Sequence, residues 1–264
     1  DKAIGWVPPR GEEHGALVES VAGQRVMKLL IQTKSVPGGL VREKADEAAS
    51  DIEDQTGRKP GKKQMKELRE DALLTLLPQA FPRTSSVLVW VDLVAGLLVT
   101  DAVGGSKLDA VVTALVSIFT GLSLQNIQTN AAPQTAMTQW LNQDPEYWPA
   151  GFNVERECEL KSLDEEKSVV KFNRHNLATD EIRKHIAEGK LPTRLALSYD
   201  GRVSFVLTDS MQLKKIKLLD LPDAGETDAF DADVALTTGE LQRLIPALIE
   251  ALGGEVKPVD LFGE

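Results

Sequence analysis

The stretch RLALSYDGRVSFVLT, residues 194–208, sets two apolar β-type runs on either side of Asp200-Gly201. Tight two-residue hairpin turns call for positive φ, which Asp-Gly tolerates, so residues 194–199 and 203–208 are predicted as neighbouring antiparallel strands. Residues 213–218 and 168–172 carry the same β signature. Between 172 and the hairpin, residues 180–188 read as a helix capped by Thr179, and a final helix over 238–252 stops at Gly253-Gly254. Strands and helices mix without a repeated βαβ rhythm or an internal repeat. That favours an α+β fold, with mixed antiparallel sheets and packed helices, over a doubly wound parallel sheet.

Upstream the same signs recur. Gly5-Trp6-Val7-Pro8-Pro9 is an extended, turn-prone opening, because each proline disfavours helix in the residue before it. Residues 17–21 and 25–33 predict a hairpin around Ala22-Gly23-Gln24, and residues 87–91 and 97–100 predict two core strands around 92–96. Between these pairs lie two helices. Over 41–55, Ala45, Ala48, Ala49 and Ile52 fall at helical spacing, and over 62–77 so do Met65, Leu68, Ala72 and Leu76. Thr56-Gly57-Arg58-Lys59-Pro60-Gly61 separates them with strong breakers, which predicts a helical hairpin projecting its turn into solvent, and Pro78 ends the second helix. A further helix over 106–119 gathers Leu108, Val111, Val112, Leu115, Ile118 and Phe119 on one face. A shorter one over 134–141 opens at Pro133, and Tyr147, Trp148, Pro149 and Gly151 mark a loop.

The chain has 264 residues, 42% apolar, enough for a sizeable core in one or two domains. Its longest apolar runs are broken by Asp92, Thr100 and Asp101, short of the roughly 20 residues that cross a bilayer, so no membrane partner is expected. Cys158 is the single cysteine, which excludes an intrachain disulfide, fits a reducing cytoplasm and reads as a buried, inert thiol. With only His14, His175 and His185 beside it, no Cys/His zinc site assembles convincingly. The first residues, Asp1 to Trp6, show neither an initiator Met nor a signal-peptide pattern, and further residues are expected upstream.

No cofactor motif stands out. Gly104-Gly105-Ser106-Lys107 lacks the spacing and the Lys-Ser/Thr order of a phosphate loop, and reads instead as a strand-to-helix turn with Ser106 as the cap. Asp228, Asp231 and Asp233 gather carboxylates, but without an EF-hand glycine or distal Glu they read as a solvated turn, with Phe230 and Val234 packing as in a strand. No nucleophile or metalloprotease motif is present, so neither a catalytic residue nor a metal site is assigned.

The formal net charge of −10 opposes binding to nucleic acid as a sum, but its distribution matters more. Residues 220–264 carry eleven acids against Arg243 and Lys257, a net of −9, so residues 1–219 are nearly neutral at −1. Within them Arg58, Lys59, Lys62, Lys63 and Lys66 form the densest basic patch, at the predicted hairpin turn; alone, it would equally fit a solvated tip. Lys214, Lys215 and Lys217 make a second, weaker patch, in which an unbroken strand places Lys215 and Lys217 on one face and Lys214 on the other.

Leu76-Leu77-Pro78-Gln79-Ala80-Phe81, followed by Val89-Trp90-Val91-Asp92, resembles a central segment of the RdgC family. So do Gly5-Trp6-Val7-Pro8-Pro9, Gly189-Lys190 leading to Leu195-Ala196-Leu197, and Phe230-Asp231-Ala232-Asp233 with Thr238-Gly239-Glu240-Leu241. The run from Leu248 to Glu255 completes a series that keeps its order over nearly the whole chain. The resemblance implies a ring-shaped homodimer with a positively charged hole that takes duplex DNA without sequence preference and limits RecA-driven recombination. It implies no enzymatic activity and a cytoplasmic, nucleoid-associated location. It makes the helical hairpin at 41–78 a fingertip, between a central α+β region at 1–40 and 79–155 and a C-terminal α+β region at 156–264. Arg58, Lys59, Lys62, Lys63, Lys66, Lys215 and Lys217 become candidate DNA contacts. Phe81 and the Arg174-His175 loop fall where the family closes its ring; this chain has Arg-His there in place of a Lys-Gln pair. Family members also begin with an additional β-containing segment ahead of the Gly-Trp-Val-Pro-Pro motif. A DNA-processing enzyme and an acidic protein-binding scaffold are the competing readings.

Overall fold

In the computed structural model of the chain, which describes residues 2–102, 104–219 and 229–256, Met27, Leu29 and Ile31 point to one face of a long strand. That strand, β3 (Gln24–Lys34), is the axis of the first of two units, Asp1–Leu124. It pairs antiparallel with β1 (Lys2–Val7), β2 (Val18–Val21) and β4 (Pro82–Asp92), and β4 pairs with β5 (Leu97–Thr100). The register sets Leu29 opposite Val87 and Met27 opposite Val89, so the two apolar rows merge into one buried surface. Ala110, Val111 and Leu115 of α3 (Gly105–Ile118) close over it. On the opposite face Trp90 lies across from Val26 and donates its indole N–H to the buried Gln24 Oε1 at 2.6 Å. The extended opening around Trp6 is therefore a strand, with Trp6 opposite Leu29 and packed on this core.

The two helices expected between β3 and β4 are α1 (Gly38–Thr56) and α2 (Lys62–Leu76), which pack along each other. Their contact is thin, with Ala45 and Ala72 the buried residues. Gly57 ends α1 in the left-handed conformation, φ 68°, donating its N–H to Glu53 O at 2.7 Å.

The second unit, Gln125–Glu264, includes residues that the sequence grouped with the central region. Its sheet runs β10 (Leu213–Leu218), β9 (Val203–Thr208), β8 (Lys190–Tyr199), β6 (Phe152–Ser162), β7 (Val169–Asn173), all antiparallel. The predicted turn between β8 and β9 forms with φ 49° at Asp200 and 65° at Gly201. Leu195, Leu197, Phe205 and Leu207 share one face of the sheet. Trp140 of α4 (Pro133–Asn142) stacks there on Phe152, and α5 (Asp180–Ala187) sets His185 against Phe172. α6 (Ala229–Ala251) buries Leu241, Leu244 and Leu248, and is tied to the β8–β9 turn by Arg202 and Glu240.

Several expectations are corrected. β6 was not read from the sequence. α6 starts at Ala229, so Phe230 and Val234 are helical rather than strand-like. Gly104 is the N-cap of α3 and Ser106 lies inside its first turn. Thr179 does take the N-cap position of α5, but its hydroxyl is buried without a cap hydrogen bond. Among the described residues, no helix is long and apolar enough to cross a membrane.

Candidate nucleic-acid interface

The α1–α2 turn places five cations in one exposed cluster. Arg58 and Lys59 stand on the connecting loop, and Lys62, Lys63 and Lys66 on the first turns of α2. Two of them have acidic partners: Lys59 Nζ lies 3.8 Å from Glu53 Oε2, and Lys66 Nζ lies 3.6 Å from Glu70 Oε1. Arg58, Lys62 and Lys63 have no carboxylate within ion-pair distance among the described residues. Cations at a helix N-terminus oppose the macrodipole, so helix stability does not explain Lys62 and Lys63. Exposed cations beside free backbone N–H groups are suited instead to holding an external anion.

The second cationic patch is built differently. Between Lys214, opposite Val206, and Lys217, opposite Ser204, β10 holds one extra residue in a bulge, where Lys215 takes φ 52°. The alternation expected of an unbroken strand therefore fails. Lys214 and Lys217 share a face, while Lys215 is re-aimed so that its Nζ reaches Glu157 Oε1 at 2.6 Å.

Phe81 stands just ahead of β4, between the short 3-10 turn Leu77–Gln79 and Pro82, and is 92% exposed. It is not buried against residues 87–91, whose core-facing Val87 and Val89 are already covered by α3. Arg174 and His175 follow β7. Arg174 is exposed and left-handed at φ 54°. His175 is held by its backbone N–H to Arg156 O at 3.2 Å, by Nδ1 against Asn176 O at 2.7 Å and by Nε2, 3.7 Å from Glu181. The sequence candidates thus form four local groups: the α1–α2 turn and Phe81 in the first unit, and the β7 loop and β10 in the second.

Sequence reasoning missed the acids of β6, of which Glu157 engages Lys215. Glu159 on β6 accepts from Thr193 Oγ1 at 2.8 Å and lies 3.1 Å from Lys171 Nζ. Burial pushes its carboxyl up, but these two hydrogen bonds and the charges of Arg194 and Lys171 outweigh burial and hold it below the usual range. Glu155 accepts from Ser198 Oγ at 2.7 Å. The alternation of Phe152, Val154, Cys158 and Leu160 was the available signal for β6. Cys158 is buried, and burial followed by the charge of Glu159 pushes its thiol up to about 12, which leaves it protonated and unreactive.

Of the three clustered aspartates, Asp228 lies outside the described residues, and Asp231 and Asp233 sit two apart on α6, a spacing that does not share a helix face. Among the described residues no group of three or more His, Cys, Asp or Glu is placed to hold a metal.

Comparison with known proteins adds a family. The family model described as "RdgC: Putative exonuclease, RdgC" matches residues 1–255. The protein named "Recombination-associated protein RdgC" in Dechloromonas aromatica is 42% identical over 262 residues, covering 96% of this chain and 85% of that relative. Its namesake in Bordetella pertussis is 38% identical over 261 residues, 96% of this chain and 86% of the relative. That of Cupriavidus necator is 42% identical over 260 residues, with the same two shares.

Proposed function

The chain belongs to the RdgC family, and on that premise we propose that it binds duplex DNA without sequence preference as a ring-shaped homodimer that restrains RecA-driven recombination. The relatives' printed name places them in recombination, and the match extends over nearly the whole chain. What most supports DNA as the partner is the α1–α2 turn, where Arg58, Lys62 and Lys63 stand exposed with no carboxylate in reach among the described residues. In this reading the turn is a fingertip, and Lys59, Lys66, Lys215 and Lys217 add to a phosphate-facing surface. Phosphate contacts of this kind position a duplex and carry no sequence information. The net negative charge of residues 220–264 disfavours DNA at that part of the chain.

Phe81 and the Arg174-His175 loop are the proposed ring-closing residues. An aromatic ring that is 92% exposed costs the monomer solvation and gains only where a partner covers it. A closed ring occupying duplex DNA would restrain RecA by competition, with a nucleoid-associated location as the corollary. The family model's description favours a second reading, a nuclease.

One experiment separates the readings: titration of labelled duplex against salt, on matched linear and covalently closed DNA, with a parallel incubation in Mg²⁺ or Mn²⁺. Binding that falls steeply with salt, persists longer on closed circles and leaves the strands intact supports the ring. Strand cleavage would establish the nuclease, and absence of duplex binding at low salt would leave a protein-binding scaffold.

A further inference from the structure

Opposed residues of antiparallel strands put their side chains on the same face, so the register assigns both faces of the second sheet. Cys158, Leu195 and Leu207 lie in one cross-strand row, on the side where α4 and α5 pack. The other face carries the next row, Lys171, Glu159, Arg194 and Thr208. Beside it run Val206 with Lys214, and Ser198 with Ser204 and Lys217. Glu157 lies two residues before Glu159 and so on the same face, and Lys161 two residues after. The face holds six cations, Lys161, Lys171, Arg194, Lys214, Lys215 and Lys217, against Glu155, Glu157 and Glu159. All three carboxylates are engaged: Glu157 by Lys215, Glu159 by Lys171 and Thr193, Glu155 by Ser198.

We infer that this face is a duplex-phosphate surface in which Glu157 and Glu159 act as internal stand-ins for phosphate, holding Lys215 and Lys171 until a DNA backbone replaces them. The inference rests on the duplex-binding reading above and names the residues of the second unit that would carry it. The two paired lysines keep 61% of their side-chain surface exposed. Such pairs are weak in water and leave the ammonium groups accessible to a stronger anion array. Lys171 stands on one outer strand, and Lys214 and Lys217 on the other. With strands about 4.8 Å apart, the two cationic rows are at most about 19 Å apart. Cations spread across the width of the sheet suit an extended array of phosphates, such as a duplex backbone, better than a lone anion.

The test uses the full chain and a labelled random-sequence duplex, titrated over a range of salt. Glu157→Gln with Glu159→Gln frees two cations: the expected result is tighter binding, by several-fold at fixed salt, and a log K against log salt slope steeper by up to about two. Lys214→Gln with Lys217→Gln, neither of which is in an ion pair among the described residues, should weaken binding and flatten the slope by a similar amount. Glu12→Gln with Glu13→Gln in the first unit is the control for net charge alone. An equal gain in that control, or parent-like binding by both sheet variants while the parent binds, overturns this inference and leaves the duplex-binding reading intact. A parent that binds no duplex overturns both. Thermal melting of each variant shows that it is folded, and the lysine pair decides the matter if the glutamate pair is not.

Discussion

The two units present their candidate contact residues in different proportions. The first leaves most of them free: Arg58, Lys62 and Lys63 have no carboxylate in reach among the described residues, Phe81 is almost wholly in solvent, and only the exposed Lys59 and Lys66 face Glu53 and Glu70. The second sets carboxylates among its cations: Lys215 is held by Glu157 and Lys171 by Glu159, while Lys214 and Lys217 stand beside them outside any ion pair among the described residues. Equal numbers of lysines in a sequence therefore do not mean equal charge available to a ligand. A free cation contributes its full attraction to an incoming phosphate, whereas a paired one contributes only what exceeds the carboxylate it gives up.

The largest effect should separate two phenylalanines. Phe205 is buried at 2% exposure, and Phe205→Ala is expected to cost about 3–5 kcal/mol in denaturant unfolding. Phe81→Ala should leave the melting curve unchanged within error while loosening retention on closed circular duplex and weakening restraint of RecA strand exchange. A core-sized loss of stability in Phe81→Ala would erase the contrast between a free and a fixed aromatic.

Next comes the α1–α2 turn. Substituting Arg58, Lys59, Lys62 and Lys63 together by Gln should reduce duplex affinity on the order of a hundredfold at near-physiological salt and flatten the salt slope by up to about four. Fold and oligomeric mass should match the parent's. Unchanged affinity would make the free cations a solvated tip and move the burden to the second unit.

A smaller, purely structural effect belongs to the tied unit. Gly151 has φ 80°, and a Cβ there would meet Asp200 Oδ1 at 2.7 Å and Tyr199 Cε2 at 2.9 Å. Gly151→Ala should therefore cost about 1–2 kcal/mol from the left-handed backbone, with a further increment for displacing the turn, read as a lowered denaturation midpoint. Parent-like stability would show that the β8–β9 turn yields easily and is less fixed than its contacts suggest.

The smallest effect is acid sensitivity. Arg202, through its hydrogen bonds, holds the Glu240 carboxyl below the usual range against the opposing effect of burial, and Glu159 is likewise held low. A carboxyl with a depressed folded-state pKa adds stability that is present above its unfolded value, near 4.3, and lost as pH falls through its folded value. Melting temperature should thus decline below about pH 4, and Glu240→Gln should reduce that decline while lowering stability at neutral pH. An unaltered acid limb would mean that the pair adds nothing to holding α6.

Local chemistry made some of this legible in sequence. Asp200-Gly201 demanded its turn, and the alanine-lined helices on either side of Gly57 could only pair closely along small residues. β6 escaped because Glu155, Arg156, Glu157 and Glu159 mask the alternation of Phe152, Val154, Cys158 and Leu160. Between Val154 and Cys158 the strand also slips register against β8. α6 begins nine residues ahead of its expected start, since Asp231 and Asp233 resemble a turn when their helical neighbours are unknown. The exposure of Phe81 and the pairing of Lys215 depend on which surfaces the fold brings together. No local pattern encodes that.

The bulge at Lys215 has one more consequence. Among the described residues β10 is the last strand of its sheet, the kind of border along which a second chain can add a strand. An extra residue in the left-handed conformation breaks the straight ladder that such an addition requires, and three lysines within four residues repel an identical border approaching it. The same irregularity that re-aims a cation thus also works against edge-to-edge pairing of two copies along this strand.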